Sequence, residues 1–193
     1  MKYIFLALTT MVSPAVMAVQ MEGFGANYYQ DDSSIPNYET NKGLTPDIIV
    51  GDNIFTMEFS SLADIAKTTG VAVNQGVQAS WLCLTSKKVN YWFISDNEMG
   101  QGYLTSIGIA KTGAQEGCSS YSGDLIVTIK GIPLLKASSE DISSIFSIRP
   151  DSNIIQYCAD TKSYGDFSQT NCLQYYLENK RVNGVFISQV TSN

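Results

Sequence analysis

Carboxylates are the side chains best able to do chemistry in this sequence, because it contains no histidine. That absence removes the commonest general base, the Ser-His and Cys-His nucleophile pairs, and histidine-based metal sites. Two acidic clusters stand out, Asp31-Asp32 and Asp96 with Glu98. Two well-spaced acids suffice for glycoside hydrolysis, and such clusters also ligate calcium. Neither cluster has the spaced acidic loop of a calcium site, and both fall in polar stretches where a solvated turn is the expected role. No serine stands three residues before a lysine, so the Ser-x-x-Lys arrangement is missing. Gly23-Phe24-Gly25 and Gly100-Gln101-Gly102 lack the third glycine of a dinucleotide loop. The chain therefore reads as a binding protein rather than an enzyme, with no cofactor and no metal expected.

The other reactive residues are Cys83, Cys118, Cys158 and Cys172. Their spacing fits no zinc pattern. Met1 to Ala18 reads as a bacterial export signal, with Lys2 at its start, an apolar stretch from Tyr3 to Val12, and Val16-Met17-Ala18 before a cut at Val19. In an oxidising compartment four cysteines become two disulfides, for which three pairings exist. Cys83 with Cys118 and Cys158 with Cys172 places one bridge in each half of the chain. No cysteine lies near the cut, so no lipid anchor is expected, and no later apolar run is long enough for a membrane span.

The elements that must position these residues follow from patterning. Cleavage leaves eleven basic against eighteen acidic side chains, a balance of −7 that makes nucleic acid and anionic membranes poor partners. Residues 19–46, rich in Gly, Asn, Asp, Ser and Tyr, are expected to form an extended N-terminal arm with one short ordered piece. Beyond it, Asp47 to Val50 begins a strand, Ser61 to Thr69 a helix, and Ser80 to Thr85, Val89 to Ser95 and Leu104 to Lys111 alternate as strands. The order recurs with a strand at Asp124 to Val127, a helix at Ser138 to Phe146, and strands at Ile154 to Ala159, Cys172 to Glu178 and Val182 to Gln189. Asp47/Asp124, Val50/Val127, Ser61/Ser138, Asp64/Asp141 and Ile65/Ile142 share one offset of 77. Ser61 and Ser138 are candidate N-caps, each with an acid three residues on. The expected fold is α+β, with two tandem repeats at 47–118 and 119–193, each a short helix packed on an antiparallel sheet.

Alternation then assigns faces. Leu82, Leu84, Tyr91, Phe93, Ile107, Ile109, Ile155, Tyr157, Leu173, Tyr175 and Leu177 point toward the helices. The opposite rows hold Gln156, Cys158, Cys172, Gln174 and, with greater apolar character, Trp81, Trp92, Ile94, Tyr176 and Phe186. That aromatic row has two readings: an open partner-binding face, or core covered by the arm or by the half-sheets.

The period near 77, the export signal, one cysteine pair per half and the closing stretch Cys172-Leu173-Gln174-Tyr175-Tyr176-Leu177-Glu178-Asn179-Lys180 resemble the β-lactamase inhibitor protein (BLIP) family. The single unit also resembles SmpA-type outer-membrane assembly lipoproteins. The first resemblance implies two units that clamp a target enzyme with an aromatic-lined sheet and rim loops. The Gly-Met-Thr lead-in of that family is replaced here by Phe59-Ser60-Ser61 and Lys136-Ala137-Ser138. No inhibitory loop residue carries over by position, so β-lactamase as the target is not expected. The resulting expectation is a periplasmic or secreted module that masks another protein, an enzyme or a toxin, as an inhibitor or immunity protein. Rim loops are expected at Asp96 to Gly102 and Lys162 to Gln169. The alternatives are an envelope scaffold contacting its partner through the arm, and a carboxylate-dependent hydrolase.

Overall fold

The computed structural model describes residues 19–30, 32–113, 117–148, 151–161 and 165–192. The expected export signal, 1–18, lies outside them. The first strands are β1 (Asn37–Glu39), β2 (Asp47–Val50), β3 (Asn53–Phe55) and β4 (Asn74–Gln75). A first run of longer strands follows: β5 (Ala79–Ser86), β6 (Val89–Asp96) and β7 (Ser106–Lys111). After the short β8 (Ser119–Ser120) and β9 (Leu125–Thr128) come β10 (Ile154–Asp160), β11 (Ser168–Glu178) and β12 (Arg181–Ser192). Helices α1 (Leu62–Thr69) and α2 (Ser139–Phe146) complete a mixed α+β chain dominated by sheet.

The large sheet has the order β1-β10-β11-β12-β7-β6-β5-β4, with β8 added to β5 in parallel. Its centre is the antiparallel pair β7 and β12, in which Ile107 faces Ile187. A small sheet of order β3-β2-β9 lies apart from it, with Ile48 paired to Val127 and Val50 to Leu125. Two-residue turns with both residues at positive φ, Lys87-Lys88 and Asn179-Lys180, join β5 to β6 and β11 to β12. Such turns match the twist of the strands they connect. The tight turn thus comes first among β5, β6 and β7 and second among β10, β11 and β12.

Both helices start where a serine caps them. Ser61 Oγ accepts from Asp64 N–H at 3.2 Å, and Ser138 Oγ accepts from Asp141 N–H at 3.2 Å. Only in α2 does the acid return the bond, with Ser138 N–H donating to Asp141 at 2.8 Å. The Asp141 carboxyl is held below its ordinary value by that backbone bond first and by the Ser138 hydroxyl second. Helix α1 stops at Gly70 in the left-handed conformation, as helices commonly do.

The main core lies between the large sheet and a layer made of α1, α2 and the small sheet. All eleven residues expected to face the helices are in it or packed against it. Ile65 of α1 and Ile142 of α2 are fully buried there, and Phe146 stacks on Tyr157 with ring centroids 3.8 Å apart. Burial, and next to it Tyr38, pushes the Tyr157 phenol up to about 12.

The arm departs from expectation. Instead of an extended segment it forms a 3-10 helix at Gly23–Tyr29 and a second at Asp32–Ser34, then enters the large sheet as β1, parallel to β10. Its aromatic residues find partners on the sheet, which a polar composition had concealed.

Candidate functional site

The sheet face opposite the helices holds the aromatic row. Trp81, Trp92, Ile94 and Phe186 cluster there with Met21, Ala79, Cys83 and Ala110, and Tyr176 packs against them. The sequence thus brought the right side chains together, but the face they form is closed. Trp92 is 1% exposed, Trp81 4%, Ile94 0% and Phe186 6%. The cover is the arm: Phe24 lies with ring centroids 5.1 Å from Phe186, 5.0 Å from Tyr176 and 5.9 Å from Trp92. Of the two readings of this row, core beneath the arm is the one the structure has, and the open docking face is corrected.

The fit of the arm explains two glycines. A Cβ on Gly25 would stand 2.5 Å from Trp92 Nε1, and one on Gly184 would stand 2.3 Å from Phe24 Cε2. Both glycines leave room for a ring that a larger residue would expel. At the far end of the arm helix, the Tyr28 hydroxyl donates to Asp96 Oδ2 at 2.9 Å. Burial, and then this carboxylate, raises the Tyr28 phenol well above its usual range, so it remains a donor. Asp96 Oδ1 accepts from the N–H groups of Glu98 and Met99, each at 2.8 Å. Both oxygens of Asp96 therefore shape a turn and fasten the arm. Asp31 lies outside the described residues.

Cys83 is bonded to Cys118 and Cys158 to Cys172, the two expected pairings. The second joins directly opposed residues of β10 and β11, and the first ties β5 to the segment leading into β8. A loop the size of the second bridge is worth roughly 3 kcal/mol by chain entropy.

Two of the open hollows bear on the expected arm and rim loops. One, of about 570 Å³, lies beside the arm over β10, β11 and β12. Its floor includes Gln156, Gln174 and Ser188, and its walls include Tyr29, Asp96 and Glu98. The other, of about 330 Å³, sits at one end of the large sheet, where Met99 and Gly100 from one expected rim loop meet Gln169 from the other. Residues 162–164 of the second loop lie outside the described residues.

Phe59, Met99 and Tyr103 line this second hollow while 76%, 57% and 50% exposed. At its floor Glu58 takes a left-handed φ of 61°. Its Oε2 accepts from Thr191 Oγ1 at 2.7 Å, Gln169 Nε2 at 3.0 Å and Gln189 Nε2 at 3.1 Å, while its Oε1 accepts from Thr191 N–H at 2.7 Å. Partial burial would raise this carboxyl, but those four bonds outweigh it and hold it below its ordinary value. Glu58 N–H also donates to Leu104 O at 2.7 Å, and Leu104 N–H to Ser60 O at 2.9 Å. The segment carrying Phe59 is thus fixed from both sides. Sequence reasoning missed Glu58, Phe59 and Tyr103. The available signal was a phenylalanine, Phe59, standing two residues before a helix cap.

Among the described residues no helix is long and apolar enough to cross a membrane, and no group of three or more Cys, Asp or Glu is clustered as a metal site. No protein-family model, curated protein or solved structure matches the chain.

Proposed function

We propose that this protein is an exported, disulfide-stapled module that binds and masks another protein, in the manner of an inhibitor or a toxin-immunity protein, through the hollow around Phe59. The observation carrying this reading is the trio Phe59, Met99 and Tyr103, three large apolar side chains left exposed around one concavity. Interfaces draw most of their affinity from a few aromatic and apolar anchors, and a fixed backbone reduces the ordering cost of binding. Glu58 supplies that fixation. Among the described residues Glu58 is also the sole charged one lining the hollow, and with a chain balance of −6 it favours a partner with a basic rim.

Two disulfides support a periplasmic or secreted location. The resemblance to BLIP proteins belongs to the same proposal, as does descent from two tandem units. Support for those units comes from the capped helices 77 positions apart and from the antiparallel pairing of β2 with β9. The scaffold alternative has less support, because the arm's inner side is occupied in covering its own sheet. The hydrolase alternative likewise loses Asp96, whose oxygens are engaged.

A tagged form lacking 1–18 would be used to capture proteins from the envelope and medium of the native cells, beside a Phe59→Ala/Tyr103→Ala variant and an Ile126→Ala control. We expect one protein to co-elute with the wild type and the control and to be depleted roughly tenfold with the double variant. Equal recovery in all three samples, with near-ultraviolet circular dichroism unchanged, removes the proposal.

A further inference from the structure

The hollow beside the arm has a chemistry of its own. Its floor includes polar side chains from the interior of the large sheet, Ser106 from β7, Gln156 from β10, Gln174 from β11 and Ser188 from β12, beside the apolar Cys172, Phe186 and Val190. The strands beneath it are paired, so a ligand in the groove meets side chains and finds no free strand edge to extend. Amides and hydroxyls each offer both a donor and an acceptor. Tyr28 and Tyr29 add aromatic rings along the arm side. Two carboxylates, Asp96 and Glu98, line the groove, and among the described residues no lysine or arginine does.

One further observation concerns this floor. Gln174 is 7% exposed, and its Nε2, itself shielded from solvent, has no hydrogen-bond partner among the described residues, so only a turn of the side chain toward the groove would bring it to a ligand. A buried donor without an acceptor costs about 1–3 kcal/mol, so such groups are rare unless a ligand or water completes them. The groove volume is within the range of sites for small ligands.

We infer that this groove binds an oligosaccharide made of neutral or amino sugars. Sugar hydroxyls are themselves both donors and acceptors, which suits a floor of glutamine and serine, and their apolar ring faces suit tyrosine. Acidic walls without a cation exclude uronic acids and phosphorylated sugars. Asp96 positions the arm there and is not free as a catalytic acid, because both its oxygens are held by Tyr28 and by the turn at Glu98 and Met99.

Isothermal titration calorimetry on the full disulfide-bonded protein tests this with four probes: tri-N-acetylchitotriose, its deacetylated triamine, a galacturonic acid trimer and trilysine. We expect the first two to bind and the uronate not to bind. The variants Gln156→Ala and Gln174→Leu are each expected to weaken binding roughly tenfold, the effect of losing one or two buried hydrogen bonds. Phe59→Ala should bind as the wild type does, because the two hollows share no lining residue. Should Gln174→Leu fail to fold, Gln156→Ala, at a half-buried position, decides alone. Absence of binding by both chito-oligosaccharides, equal binding of the uronate, trilysine binding as tightly as the sugars, or unaltered affinity in folded Gln156→Ala each overturns the inference.

Discussion

Over β5, β6 and β7 the arm-side face of the sheet carries Trp81, Cys83, Trp92, Ile94 and Ala110, whereas over β10, β11 and β12 it carries Gln156, Cys172, Gln174 and Ser188. Phe186 stands at the junction, belonging to the apolar cluster and also lining the groove. The arm helix lies over the apolar part, with Phe24 reaching Tyr176 of β11 and Phe186 of β12, and leaves the polar groove uncovered. An apolar sheet face must be removed from water, and the nearest available cover is the preceding segment of the same chain. A polar face has no such requirement, so it stays concave and open. One sheet surface thus serves as core at one end and as a candidate binding site at the other.

Trp92→Ala should break this comparison most severely. It deletes a fully buried ring at the centre of the sealed half, and we expect about 3–5 kcal/mol of lost stability in urea unfolding. Loss of less than 1 kcal/mol would mean that the arm does not seal the face. Phe24→Ala acts on the cover itself. Since that ring is half-buried, about 2–3 kcal/mol is expected, together with a red shift of tryptophan fluorescence as water reaches Trp92. Gly184→Ala approaches the same contact from below. The added methyl should displace Phe24 at a cost of about 1–3 kcal/mol, and the double variant with Phe24→Ala should show little further loss.

The sealed half was partly legible in the sequence. Alternation placed Trp81, Trp92 and Ile94 on one face because period-two patterning is a local property of each strand. What covers that face is a non-local property. Phe24 sits in a stretch of Gly, Asn and Asp with no periodicity, and nothing local indicates which distant strand it will meet. The caps at Ser61 and Ser138 were readable for the same local reason. Glu58 was not, because its four bonds come from Gln169, Gln189 and Thr191, more than a hundred positions away. The tight turn at Lys87-Lys88 was also obscured, since two lysines lack the asparagine or glycine that usually marks positive φ.

Smaller effects sharpen the boundary between the two parts. A depressed carboxyl such as Glu58 stabilises the fold above its unfolded value, and that contribution is lost as pH falls through the lower folded value. Unfolding followed from pH 6 to pH 3 should show a decline that Glu58→Gln makes shallower, by about 1 kcal/mol after allowance for solvent screening. An identical pH profile in the variant would assign the decline to other acids. Tyr28→Phe removes the bond to Asp96 and should cost about 1 kcal/mol, with faster amide exchange confined to residues 23–30. Exchange that quickens throughout β5 and β6 instead would make this bond part of the sealed core.

Both margins of the large sheet end in very short strands. Beyond β10 lies only the three-residue β1, and beyond β5 lie the two-residue β4 and β8. A molecule built so largely of strands would ordinarily invite copies of itself to add on sideways and grow into fibres. Among the described residues the outermost ladders are two or three residues long, which leaves little free edge on which a neighbouring copy could pair.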